Sequence, residues 1–115
     1  MPRHKNEPPE VERPIALART LDVIGGKWTA EIIFQLLGGT RRFGALSTAL
    51  GGVSPKMLIA RLKELERHGF VTRTLYPEIP PRVEYALTDE GRTLKPIIDA
   101  MVTWGASREG ARDAA

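Results

Sequence analysis

Ser54 to Leu87 reads SPKMLIARLKELERHGFVTRTLYPEIPPRVEYAL, and the reading of this stretch decides the fold. Ser54 is placed to accept a backbone N–H at a helix start, and Pro55 suits the first helical position, where a missing N–H costs nothing. The helix then predicted runs from Pro55 to His68 and is closed by Gly69. At 100° per residue Leu58, Leu62 and Leu65 share one side, which must face a core. Lys56, Ala60, Lys63 and Arg67 lie on the opposite side, with Ile59 and Glu64 flanking them and Met57 and Arg61 nearer the core boundary. Phe70 to Tyr76 alternates as a strand does, Pro77-Glu78-Ile79-Pro80-Pro81 cannot continue it, and Arg82 to Leu87 resumes the alternation. The pattern is a two-stranded hairpin with a stiff, proline-rich tip.

Outward from this unit, Phe43, Leu46 and Leu50 mark a short helix from Gly44 to Leu50, and Gly51-Gly52 turns the chain. A short helix, a glycine turn and a longer capped helix make a helix-turn-helix signature, which any helical hairpin with a tight turn shares. The hairpin that follows at once makes it a winged helix. The expected helix-turn-helix covers about residues 43–69 and the wing about 70–87.

Upstream, Pro14 opens a helix with Ile15, Leu17, Ala18, Leu21 and Ile24 at helical spacing, stopped by Gly25-Gly26. A second helix, Lys27 to Leu37, carries Trp28, Ile32, Ile33, Leu36 and Leu37 as the central core stripe, with Trp28 as a core anchor. Gly-Gly-Lys-Trp is not a phosphate loop, because the upstream glycine and a Ser or Thr after the lysine are missing. Downstream, Thr88 caps a last helix with Asp89 and Glu90 in its first turn, where the helix dipole favours acids. Leu94, Ile97, Ile98, Met101, Val102 and Trp104 give that helix a broad apolar surface. The fold class expected is mainly α (α+β): a winged helix-turn-helix over residues 14–105. Residues 1–13 read as a polar, proline-containing tail and 106–115 as a frayed one.

The 115 residues suit one domain, and with 42% hydrophobic residues a real core can form. Such a chain buries roughly two-thirds of its unfolded surface, so a partner subunit would add stability. Dimerisation through the first and last helices buries their apolar faces; the residues expected there are Ile15, Leu17, Leu21, Ile97, Ile98, Met101, Val102 and Trp104. With no apolar run near ~20 residues and no signal-peptide pattern, a cytoplasmic protein is expected. The sequence holds no cysteine, which excludes disulfides and thiolate zinc sites. Its two histidines, His4 and His68, belong to no nucleophile–base or metal motif, so no enzyme, metal or cofactor is expected.

Charge is uneven. Arg41 to Arg82 holds eight basic residues against Glu64, Glu66 and Glu78, a net of +5 within a chain of net +3. A basic middle suits a nucleic-acid face, as it also suits a solvated surface. The outward stripe of the capped helix favours DNA, since alanine admits close approach while lysine and arginine meet phosphates or guanine edges. The DNA-contacting residues expected are Arg42, Ser54, Pro55, Lys56, Met57, Ala60, Arg61, Lys63, Arg67 and Arg82. A winged helix used only for protein contacts is the alternative, and Lys56, Lys63 and Arg67 argue against it. A small-molecule effector site at the dimer seam, near Trp28, Phe34, Met101 and Trp104, is a further reading; the same residues fit a packed core.

Several segments resemble one family in the right order. Leu21-Asp22-Val23-Ile24-Gly25-Gly26-Lys27-Trp28, Arg42-Phe43-Gly44-Ala45-Leu46, the helix from Ser54 to Gly69, Tyr76 to Tyr85, Leu87-Thr88 with Gly91, and Trp104-Gly105 are similar to motifs of HxlR-type regulators. The similarity covers about residues 14–105. It implies a bacterial or archaeal winged-helix transcription factor, homodimeric through its first and last helices, on a roughly palindromic double-stranded DNA operator. Many members carry a cysteine just before the proline that opens the first helix; here that position is Arg13, so thiol sensing is not implied for this chain.

Overall fold

The structure is a computed structural model that describes residues 12–114, with side chains described as far as Glu109. The expected tail over residues 1–13 therefore lies, apart from Glu12 and Arg13, outside the described residues. In chain order the elements are α1 (Ile15–Ile24), α2 (Thr29–Leu37), β1 (Arg41–Arg42), α3 (Phe43–Leu50), α4 (Pro55–Arg67), β2 (Val71–Tyr76), β3 (Arg82–Leu87), α5 (Asp89–Arg92) and α6 (Lys95–Ala114).

The core forms where α2, α3 and α4 meet the sheet. Ile32, Ile33, Leu46, Leu58, Leu62 and Leu65 are almost wholly buried, so the face expected from the leucine spacing of α4 is the one packed inward. Trp28 packs on this core only half-buried, from the N-cap of α2 rather than from within it. Phe34, on the far side of α2, is exposed.

The capped helix ends as its sequence dictates. Gly69 has φ +80°, a conformation that glycine adopts without steric penalty. Its N–H donates to the Glu66 carbonyl and the Phe70 N–H to the Leu65 carbonyl, both at 2.9 Å, which is a Schellman closure. Phe70 thereby leads directly into β2. The Thr88 hydroxyl donates to the Gly69 carbonyl (2.6 Å) and accepts from the Gly91 N–H (3.0 Å), so the end of the hairpin is tied to the end of α4. These bonds hold the wing at a fixed place beside the helix.

Three expectations are corrected. The sheet has three antiparallel strands in the order β1-β3-β2, not two, because Arg41 and Arg42 pair with Tyr85 and Glu84. Two residues without alternation carry no strand signal of their own. The last helix is two: α5 ends at Arg92 and α6 begins at Lys95. Pro96 lacks an N–H and its ring conflicts with the carbonyl four residues back, at Arg92, so one continuous helix is barred. Finally, residues 106–114, expected as part of a frayed tail, lie within α6, which runs to Ala114. Gly105 and Gly110 weaken it by only ~1 kcal/mol each, and the alanines and charged residues around them are good helix formers.

Candidate nucleic-acid interface

The N-terminus of α4 is built for solvent or an anion. The Ser54 hydroxyl accepts from the Met57 N–H at 3.1 Å, Pro55 needs no partner, and no acid occupies the first turn to offset the helix dipole. From that end the exposed face carries Lys56, Ile59, Ala60, Lys63 and Arg67. None of these three cations has a carboxylate within ion-pair distance among the described residues. Arg42, at the N-cap of α3, is equally free.

Three of the expected contact residues are engaged within the chain itself. Met57 is half-buried against the core. Arg61 turns back along the helix flank: its Nε donates to the Lys27 carbonyl at 2.9 Å, and its Nη1 lies 3.3 Å from Glu64. Arg82 is engaged within the wing. Its guanidinium lies 3.2 Å from Glu78, 3.3 Å from Glu84, and 4.0 Å from the centre of the Tyr76 ring. The Glu84 contact is ionic rather than a hydrogen bond, since Arg82 Nε has no well-aligned acceptor. Both arginines therefore brace the site. They spend their charge on neighbours.

Arg73, which the hairpin's sequence also offers as a phosphate or minor-groove contact beside Arg82, joins the site. Arg73 pairs in register with Tyr85, whose side chain faces inward, so Arg73 points to the same side of the sheet, beyond the end of the core. An open cleft of about 930 Å³ separates α4 from the sheet here. Phe43, Ile59, Val83 and Tyr85 line it, together with Arg42, Lys63, Arg73 and Arg82 against a single acid, Glu66.

At the other end of the molecule α1 and α6 leave apolar side chains in water. Ile15 is 70% and Trp104 68% exposed, with Leu17, Leu21, Ile97, Met101 and Val102 also exposed. Ile98 is corrected: at 2% exposure it belongs to the chain's own core and is out of a partner's reach. Within one chain the expected effector residues fall on two neighbouring surfaces rather than in one pocket. Phe34 and Met101 line a groove of about 380 Å³ between α2, α3 and α6, Met101 and Trp104 share an adjoining surface on α6, and Trp28 lines neither.

A short helix, a glycine turn, a capped helix with a basic outer face and a hairpin tied beside it define a winged helix-turn-helix protein. The chain belongs to the HxlR-like helix-turn-helix family, whose pattern it matches over residues 23–112. It is 44% identical over 86 residues to YdeP of Bacillus subtilis (strain 168), an uncharacterised HTH-type transcriptional regulator, covering 75% of this chain and 67% of that one. Among solved structures it resembles the redox regulator HypR in its oxidised form, with a TM-score of 0.76 and 42% identity, over 80% of this chain and 95% of that one. A regulator assigned to the MarR family, from Porphyromonas gingivalis W83, superposes with a TM-score of 0.79 at 39% identity, over 86% of this chain and 97% of that one.

Proposed function

We propose that two copies of this chain, joined through α1 and α6, form a sequence-specific DNA-binding transcriptional regulator. Each copy lays α4 in a major groove and sets its wing against the flanking backbone. The observation that carries the reading is the row of free cations Lys56, Lys63 and Arg67 around exposed Ala60, with Arg42 and Arg73 to one side. Alanine lets the helix backbone approach base edges, while the unpaired cations replace condensed counterions on phosphates. Ser54 and Pro55 present the positive end of the helix, which favours a phosphate. A winged helix used only for protein contacts has less support, because the outer face of α4 carries Lys56, Lys63 and Arg67 rather than an acidic or apolar surface.

The dimer follows from burial. Seven exposed apolar side chains on two helices of one small domain are satisfied by a second copy of the same surface. Two-fold symmetry then calls for a roughly palindromic operator with half-sites about one helical turn, ~34 Å, apart. Among the described residues no helix is long and apolar enough to cross a membrane, which agrees with action on DNA in the cytoplasm. HypR is a redox regulator, but the 115 residues here contain no cysteine, so a signal acting on them uses chemistry other than a thiol.

Selection of bound duplexes from a random pool, followed by anisotropy titration of the enriched sequence, tests the proposal. A two-fold motif bound at least ~1000-fold more tightly than random DNA is expected. Failure to enrich any motif refutes sequence-specific recognition.

A further inference from the structure

We infer that Arg61 is a positioning residue: by binding the α1–α2 turn to the flank of α4, it sets the angle between the dimerisation helix and the recognition helix. It thereby sets the spacing of the two recognition helices in the dimer. This rests on the α1/α6 dimer proposed above.

α1 has few other attachments to its own chain. Of its residues only Ile24, the last, is buried, and Ile15, Leu17 and Leu21 face solvent. Its direction is therefore fixed mainly by the turn that follows it. That turn is sharply constrained. A methyl group on Gly25 would overlap the Leu21 carbonyl, so the helix stops there with a residue that has no Cβ. Trp28 then adopts φ +77°, an uncommon conformation for a bulky residue that persists only where surrounding bonds over-determine it. The Thr29 N–H donates to the Gly26 carbonyl at 3.2 Å and the Ile32 N–H to the Trp28 carbonyl at 2.9 Å. The Lys27 carbonyl, between them, is held by Arg61 Nε at 2.9 Å.

Arg61 thus joins residues 34 positions apart in the chain, and it starts from the helix proposed to read DNA. Glu64, one turn along α4, holds the same guanidinium at 3.3 Å and limits its swing. Gly26 completes the seat. A Cβ there would stand 3.2 Å from Arg61 Cζ, 3.3 Å from Thr29 Oγ1 and 3.4 Å from Arg61 Nε, so the guanidinium would have to shift by a few tenths of an ångström against its carbonyl. In a dimer held by α1 and α6, a change in the angle at this turn is carried along the length of α1. It reappears as a displacement of α4 relative to its symmetry mate. With the latch closed the helices have one spacing. With it open they have a range.

The cysteine-free chain allows a direct measurement. Ala60→Cys, spin-labelled in the full-length protein without DNA, places one label on each recognition helix, and pulsed dipolar spectroscopy reads the distance between them. A single narrow distribution is expected. Adding Arg61→Ala, or separately Gly26→Ala, should broaden it at least two-fold, and the double variant should broaden it no further than either alone. Gly26→Ala leaves every α4 side chain intact, so agreement between the two variants separates the latch from any direct role of Arg61. A narrow distribution unchanged in both variants overturns the latch while leaving the dimer standing. Absence of any intermolecular dipolar signal in the parent overturns the dimer and the inference with it. In anisotropy titrations the Arg61→Ala dimer should bind a lone half-site as the parent does, yet tolerate one added base pair between half-sites. An equal loss on half-site and full operator would instead assign Arg61 to the DNA and sink the inference.

Discussion

Lys56→Ala removes a cation that is exposed, free of any ion pair among the described residues, and one residue into the first turn of α4. In a symmetric complex the substitution acts twice. If each Lys56 neutralises one phosphate, the slope of log K against log salt should fall by about 1.8, twice the ~0.9 expected per contact on duplex DNA. With the intercept at 1 M salt unchanged, a slope smaller by about 1.8 means about thirty-fold weaker binding near 0.15 M salt, or about 2 kcal/mol per dimer. The assay is fluorescence anisotropy with the selected operator across several salt concentrations, on protein whose melting temperature matches the parent. Arg82→Ala is the contrast, because its charge is already offset by Glu78 and Glu84 and its ring contact is with Tyr76. It should weaken binding by loosening the wing, with less than half the slope change. An unchanged slope for Lys56→Ala, or equal slope changes for the two variants, would refute the division into free and engaged cations.

Other outcomes follow from burial and close approach. Met101→Asp puts a charge into the exposed apolar surface of α6 and should convert the dimer to monomer in sedimentation equilibrium; an undisturbed dimer places the interface elsewhere. Leu62→Ala empties a fully buried site on α4 and should lower stability by about 2–5 kcal/mol in urea titration, and a change under about 1 kcal/mol would deny α4 its central place in the core. Gly91→Ala brings a methyl group onto the Phe70 carbonyl and against Leu87, and should destabilise by about 1–3 kcal/mol through displacement of α5 from the hairpin; an unchanged denaturation midpoint would contradict that packing.

Much of the molecule was legible in its residues. Ser54, Pro55 and Gly69 bounded α4, the leucine spacing named its buried face, and Pro77, Pro80 and Pro81 separated two strands. These signals are local: a cap, a ring without an N–H, a glycine with positive φ and a 3.6-residue period each act within a turn or two of chain. Their order from Phe43 to Leu87 was enough to call for a winged helix-turn-helix. The break between α5 and α6 had a local signal too, in Pro96. The third strand and the fates of Ile98, Arg61 and Arg82 were decided only by tertiary structure. β1 exists because β3 offers it an edge. Ile97 and Ile98 are adjacent and equally apolar, and only the packing of α6 on the core buries one and exposes the other. Periodicity shows where a Cβ points, but a guanidinium several bonds further out goes where the nearest carbonyl or carboxylate stands. For Arg61 that carbonyl lies 34 residues back along the chain, and folding alone brings the two together.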